Sequence, residues 1–204
     1  MLNIDKKAWE ETEAKEYGDY ESLELGGHVC VIRKADNYTG KTGNESLRVQ
    51  VDIDKSDKQG GFFQQQFDNN TRSDKIWSPN ATKYYSLKQE NLGMLKGFIT
   101  AVENSNAGFK FDMDETKLAG KKCVGVFGLE EFERQDGTVG TSVRLTQIRS
   151  LDKLKEVKIP KVKKLDGSYV DYEEYINHQR TASAEEMFGS SIVETDTSDI
   201  PFEI

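Results

Sequence analysis

The stretch NESLRVQVDID, residues 44–54, alternates between apolar and polar side chains and constrains the fold more than any other segment. Its apolar members are Leu47, Val49, Val51 and Ile53, and its polar members are Ser46, Arg48, Gln50 and Asp52. Because successive side chains of a strand point to opposite faces, a period of two predicts a strand with one buried and one solvent-facing side. The chain therefore contains a sheet that covers a core with one of its faces.

A second strand is predicted just before this one. Residues 28–38, HVCVIRKADNY, are rich in strand formers, and the intervening TGKTGN has the composition of a turn. Further strands are predicted over 61–68, 121–134 and 137–150, with an amphipathic helix over 89–102 between the third strand and the fourth. This element order is that of an OB-fold, so we expect a mainly β, OB-fold-like five-stranded barrel.

The net charge of −8 is divided unevenly along the chain. Residues 1–26 carry three lysines against eight acidic residues, and residues 165–204 carry one arginine against ten acidic residues. The central residues 27–164 hold the other 24 basic and 18 acidic side chains, which gives them a net charge of +6. This distribution predicts an acidic N-terminal arm, an OB-fold domain that meets a polyanion, and an acidic C-terminal tail.

The sequence pattern weakens after residue 150. Residues 151–164, LDKLKEVKIPKVKK, alternate Val and Ile with Lys and carry a net charge of +4, which predicts either an extra strand or a basic strap. Tyr169, Tyr172 and Tyr175 have helical spacing, whereas Ser, Thr, Glu and Asp dominate from Thr181 onward. The tail, 165–204, is therefore expected to be largely disordered.

Several classes of protein are disfavoured by composition. No stretch approaches the roughly 20 apolar residues of a membrane span, and the first residues lack the apolar region of a signal peptide, so we expect a cytoplasmic protein without membrane contact. Cys30 and Cys123 lie in apolar strand-like runs and are interpreted as reduced core thiols. His28 and His178 are not near Cys or carboxylate clusters at ligand spacing, so neither a metal nor a cofactor is expected.

Motifs for catalysis are absent from the sequence. GKT at 40–42 lacks the preceding glycine of a phosphate-binding loop, because position 35 is Ala35. DMDET at 112–116 lacks the glycine and glutamate that a calcium loop requires. Neither a paired acid and base nor an activated nucleophile is recognisable, so we do not expect an enzyme.

Aromatic and basic residues alternate in an otherwise polar region, residues 62–88. Proteins that bind single strands combine a basic groove with aromatic rings on which bases stack. The candidate stacking residues are Phe63, Phe67, Trp77, Tyr84, Tyr85 and Phe132, and the candidate phosphate-binding residues are Arg33, Lys34, Lys41, Arg48, Arg72, Lys75, Lys83, Arg134 and Arg144. The alternative is that these rings fill the barrel or hold the loop against it, while the charged side chains are simply solvated.

The body of the chain, about 23–150, resembles a family of phage-encoded proteins described as single-stranded DNA-binding. The resemblance rests on LELGGHVCVIRKADNYTGKTGNESLRVQVDI, with its glycine turn, strand, loop and alternating strand. It continues in the helix ENLGMLKGFITAV and the strand entry LAGKKCVGVFGLEEF. It implies single-stranded DNA as a ligand, a role in phage replication or recombination, and the host cytoplasm as location.

The C-terminal sequence TDTSDIPFEI is similar to the acidic tip of bacterial single-stranded DNA-binding proteins, which ends in Asp-Ile-Pro-Phe. Asp199, Ile200, Pro201 and Phe202 match that ending, whereas this chain continues through Glu203 to Ile204. The resemblance implies that the tip docks into a basic pocket of replication or recombination proteins, with either Phe202 or Ile204 as the apolar anchor.

These observations lead to the expectation of a non-enzymatic protein that coats single-stranded DNA with little sequence preference and recruits partners through its tip. The runner-up is an OB-like interaction module of a replication complex without DNA binding of its own. A third interpretation is an enzyme or an annealing recombinase. The sequence leaves open whether the chain forms homo-oligomers.

Overall fold

A computed structural model describes residues 5–11 and 22–188 of the 204-residue chain. The helices are α1 (Lys6–Glu11), α2 (Phe62–Asn69), α3 (Leu92–Ser105) and α4 (Tyr172–Phe188). The strands are β1 (Gly26–Thr39), β2 (Glu45–Ile53), β3 (Thr82–Ser86), β4 (Lys122–Glu133), β5 (Val139–Arg149), β6 (Val162–Lys163) and β7 (Tyr169–Val170). Short 3-10 helices cover Pro79–Ala81, Gln89–Asn91, Glu115–Leu118 and Leu151–Glu156.

The strands form one seven-stranded sheet with the order β3-β2-β1-β4-β6-β7, in which β5 also pairs with β4. The strand pairs are antiparallel except for β4 with β6. β3 and β5 lie close to each other, but no ladder joins them in the part of the chain that the structure describes. The predicted mainly β fold is confirmed, whereas the sheet is not closed into the expected five-stranded barrel.

β1 and β2 form the predicted hairpin. Its loop is closed by Asn44, whose carbonyl oxygen accepts a hydrogen bond of 2.9 Å from the N–H of Gly40. Gly43 in the same loop has φ 77°, a conformation that favours glycine. The strand register is interrupted once, between Ile32 and Lys34, by a bulge that bends β1.

The predicted third strand, 61–68, is wrong, because these residues form helix α2. Phe63 and Phe67 are four residues apart, a spacing that puts them on one face of a strand or on one face of a helix. The carboxylate of Asp52, at the end of β2, accepts hydrogen bonds from the N–H groups of Phe63 and Gln64 at 3.0 and 3.4 Å. Because the first N–H groups of a helix have no partners within it, these bonds favour a helix start here.

The third strand lies later in the chain, at β3, and pairs with β2. The predicted helix over 89–102 is confirmed as α3 with its preceding 3-10 turn, and the predicted strands over 121–134 and 137–150 are confirmed as β4 and β5. Over β1–β5 the predicted element order therefore holds, with one extra helix before the third strand.

The core lies between the inner face of the sheet and helices α2 and α3. β2 contributes Leu47, Val49, Val51 and Ile53, the four apolar residues of the alternating pattern. Cys30 and Cys123 are opposite each other on β1 and β4, and both are free and fully buried, as predicted. Burial raises the pKa of the Cys123 thiol to about 12 and also raises that of Cys30, which disfavours the reactive thiolate form of both.

The C-terminal part differs from the predicted disordered tail where the structure describes it. The hairpin of β6 and β7 spans the predicted boundary at residue 165, and α4 extends from Tyr172 to Phe188. Tyr175 is buried and anchors the helix. The docking tip, residues 199–204, lies outside the described residues, as does most of the acidic arm.

Candidate nucleic-acid interface

The outer face of the sheet, opposite the core, can be identified from β2. Leu47 and Val49 are buried in the core, so Arg48 and Gln50 lie on the opposite, outer face of the sheet. The residues directly opposite Arg48 are Asp36 on β1 and Tyr84 on β3. We call this surface the aromatic-basic face, and it consists of Lys34, Asp36, Tyr38, Arg48, Gln50, Thr82 and Tyr84.

Two tyrosines form the aromatic part of this face. Tyr84 is 48% exposed, and its ring centroid lies 5.2 Å from that of Tyr38 at an interplanar angle of 55°. The guanidinium of Arg48 lies 5.0 Å from the centre of the Tyr38 ring. An exposed ring beside a cation offers a base a stacking surface and its phosphate an opposite charge.

Arg48 and Lys34 share one carboxylate on this face. Arg48 donates two hydrogen bonds to Asp36, at 2.9 and 2.6 Å, and Lys34 lies 2.8 Å from the same carboxylate. The hydrogen bond from Arg48 is the main reason that the pKa of Asp36 falls to about 2. Asp36 is therefore ionised at neutral pH and cancels part of the positive charge of the face.

Three predicted stacking residues are wrong, because their rings belong to the core. Phe63 is buried against Phe127, with 5.8 Å between ring centroids. Tyr85 is 6% exposed and stacks on Phe98 at 4.6 Å. Trp77 is 7% exposed, and its indole N–H donates to the carbonyl oxygen of Val51 at 3.1 Å. These rings are not free to stack on a base.

A second group of predicted residues surrounds Phe67 and Trp77. The guanidinium of Arg33 lies 4.3 Å from the Trp77 ring and donates to Gln64 of α2. Lys75 lies 4.6 Å from the partly buried Phe67 ring and donates to its carbonyl oxygen. Phe67, Lys75 and Arg72 line a pocket of about 380 Å³, and Arg72 pairs with Asp74. Arg33 therefore covers Trp77, while this pocket is a separate concave surface.

The predicted residues of the β4–β5 hairpin lie apart from the aromatic-basic face. Pairing of β4 with β1 ends at Phe127, and the hairpin extends beyond it. Phe132 is 36% exposed, and Arg134 donates to Thr138 and to the carbonyl of Val139. Arg144 forms an ion pair with Glu130 at 3.4 Å.

Two of the predicted phosphate-binding lysines lie in different environments. Lys41 is exposed in loop 40–44, at the end of the hairpin that carries Tyr38. Lys83 is opposite Val49 and thus on the inner side of β3, away from the aromatic-basic face. It lines a pocket of about 540 Å³ between β3, α3 and β5, where burial lowers the pKa of its ammonium group.

Sequence reasoning missed Asp36 and Tyr38 as members of the face. Both lie in the predicted first strand, and the hairpin loop fixes their partners as Arg48 and Ser46. A register counted outward from loop 40–44 would have placed them opposite the polar side chains of β2. The bulge near Arg33 breaks the alternation that would otherwise have indicated their side of the strand.

Other kinds of site receive no support from the described ranges. Within residues 5–11 and 22–188, no cluster of three or more His, Cys, Asp or Glu side chains could hold a metal ion. No helix in those ranges is long and apolar enough to span a bilayer.

Neither a family model nor a curated protein matches this chain. Its function is therefore inferred from the geometry of the aromatic-basic face and from its sequence.

Proposed function

We propose that this protein binds single-stranded DNA with little sequence preference through the aromatic-basic face. The observation that carries the proposal is the cluster of the exposed Tyr84 with the partly exposed Tyr38 and Arg48 on the outer sheet surface. A ring can stack on any of the four bases, and a cation can bind any phosphate, so the cluster has no means of distinguishing sequences. The net charge of +6 over residues 27–164 favours a polyanionic ligand.

The strand arrangement supports this choice of surface. We infer that β1–β5 form an OB-type unit, in which the face of strands 2 and 3 and the loops 1–2 and 4–5 bind oligonucleotides. In this chain those parts are the surface of β2 and β3, the loop 40–44 with Lys41, and the turn that contains Arg134. The aromatic-basic face is the part of this region in which an exposed ring, Tyr84, lies beside cations.

We further propose that the C-terminal tip recruits replication or recombination proteins. Its sequence places the apolar Ile200, Pro201, Phe202 and Ile204 after an acidic segment. A short apolar peptide with acidic neighbours suits a partner pocket that is apolar at its base and basic at its rim. This division of labour assigns DNA to the sheet and partner proteins to the tip.

The DNA proposal is tested by Tyr84→Ala. Loss of one base-stacking ring costs about 1–3 kcal/mol, so affinity for a labelled oligothymidine should fall roughly 5- to 150-fold. Fluorescence anisotropy with an end-labelled strand measures this, whereas the buried Trp77 makes a poor intrinsic reporter. Tyr84→Phe keeps the ring and should bind nearly as well as the wild type.

The control is Trp9→Ala, which removes a ring that is 69% exposed on α1, in the acidic N-terminal arm. It should leave DNA affinity unchanged. Equal affinities for the wild type, Tyr84→Ala and Trp9→Ala would contradict the proposed site. Absence of any single-strand binding by the wild type at low salt would favour the interaction-module alternative.

A further inference from the structure

Residues 151–164, which we call the basic strap, form a fixed surface element rather than a solvated run of charges. The strap begins as the 3-10 helix Leu151–Glu156 and ends in β6. It carries six lysines against Asp152 and Glu156. Its apolar side chains alternate with these lysines along the extended part.

Two glycines of the sheet make room for the strap. A Cβ atom on Gly27 would lie 3.0 Å from the Cβ of Val157 and 3.2 Å from Leu154. A Cβ atom on Gly128 would lie 3.1 Å from Pro160. These approaches show that the strap lies directly against β1 and β4.

The strap covers the outer side of the sheet, not the core side. Gly27 lies between Gly26 and the inward-pointing His28 on β1, so its missing side chain faces outward. Val124 and Val126 of β4 are buried but do not belong to the core cluster, and neither does the buried Val162 of the strap, which indicates a second apolar layer between the sheet and the strap. The strap and the aromatic-basic face therefore lie on the same outer surface of β1, toward opposite ends of that strand.

The apolar contacts of the strap leave its lysines directed to solvent. Lys153, Lys161 and Lys163 form ion pairs with Glu156, Asp171 and Glu130. Lys155 and Lys158 are exposed, and within residues 5–11 and 22–188 neither forms an ion pair. Lys164, which also forms no ion pair within those ranges, is less exposed than these two. Two exposed and unpaired charges on a fixed backbone are suited to bind phosphates.

The distance between the basic strap and the aromatic-basic face sets the length of a strand that could reach both. Along β1, Gly27 is seven residues from Lys34 and eleven from Tyr38, at most about 23 and 36 Å at roughly 3.3 Å per residue. One stacked strand advances about 3.4 Å per nucleotide, so the path corresponds to at most about seven to eleven nucleotides.

We propose that Lys155 and Lys158 of the basic strap bind the phosphodiester backbone of the strand whose bases stack on the aromatic-basic face. This inference rests on the proposed DNA-binding function and extends it to a second contact region. A strand too short to span the two surfaces contacts only the face. A longer strand contacts both, and its affinity depends on the strap.

The test compares Lys155→Gln/Lys158→Gln with the wild type on five-nucleotide and twenty-nucleotide oligothymidines. We expect affinity for the longer strand to fall roughly ten-fold at low salt. The slope of log K against log salt concentration for the longer strand should become shallower by about 1.4, because each phosphate contact on a single strand contributes about 0.7. Affinity for the five-nucleotide strand should stay within about two-fold of the wild type, because it does not reach the strap.

The matched control is Lys96→Gln/Lys110→Gln, which removes two charges from α3 and the segment after it. It should affect neither length, and urea unfolding of all variants should show that they are folded. Wild-type binding with an unchanged length dependence in the strap variant would overturn this inference alone. Failure of the wild type to bind either strand would overturn the proposed function together with it.

Discussion

Arg48 combines two interactions that oppose each other for DNA binding. Its position above the Tyr38 ring places a cation where a phosphate can approach a stacked base. Its two hydrogen bonds to Asp36 occupy the donors that a phosphate would need. In the proposed function, Asp36 competes with DNA for Arg48, and the affinity of the face depends on the difference between the two interactions.

Removing this competition is expected to strengthen binding. In Asp36→Asn the carboxylate charge is lost while the side chain keeps its size, so Arg48 and Lys34 become available to phosphates. An ion pair at such a partly exposed position is worth up to about 1 kcal/mol, which predicts a gain in oligothymidine affinity of roughly five-fold. The gain should diminish at high salt, where phosphate contacts weaken.

Asp112→Asn is the control, because it removes an equal charge from an ion pair with Lys117 that is not on the face. It should leave affinity unchanged. If Asp36→Asn bound DNA more weakly than the wild type, Asp36 would be required to hold Arg48 in its binding position, and the competition would be refuted.

The adjacent Tyr84 and Tyr85 show what the sequence could predict for single residues. Period-two alternation requires one ring inside and one outside, but it does not say which. Pairing of Tyr85 with the buried Leu47 decides this, and that pairing is a long-range property of the fold. Whether Trp77 is buried could not be predicted either, because its indole N–H donates to a carbonyl oxygen of β2, which is distant in sequence.

At the scale of elements, α2 shows why a local pattern can be assigned to the wrong structure. The sequence GFFQQQFD fits a strand by its alternating phenylalanines and a helix by their spacing of four. The deciding contacts come from Asp52, eleven residues before Phe63. By contrast, β2 could be predicted from sequence. Four apolar residues at every second position fit a strand and no helix, and all four lie in the core.

The C-terminal tip is the second element with a testable role. Deleting residues 199–204 is expected to leave oligothymidine affinity unchanged or higher, because the acidic tip repels DNA. Binding to purified bacterial replication and repair enzymes should be lost, as measured by surface plasmon resonance with the full chain immobilised. Phe202→Ala and deletion of Glu203 with Ile204 identify which residue is the anchor, and retained partner binding in the six-residue deletion would refute the docking role.

At the scale of the whole molecule, the order of elements and the mainly β fold could be predicted from sequence. Whether the sheet closes into a barrel could not. Hairpins such as β1–β2 are specified by local turns and alternation, whereas closure requires two distant edges, β3 and β5, to pair. The overall net charge of −8 also obscures the +6 body. The division of charge supports a molecule whose folded part binds a polyanion while its acidic end remains available to other proteins.

The central claim is that the folded body binds single strands through exposed rings and cations. The most direct test measures the affinity of the full-length protein for a twenty-nucleotide oligothymidine and for a duplex of equal length, at about 50 and 200 mM salt. We predict that the single strand binds more tightly at both concentrations, because only unpaired bases can stack on Tyr84. Both ligands should weaken as salt rises. Equal or tighter binding of the duplex, or no binding of either at the lower salt, would contradict this account.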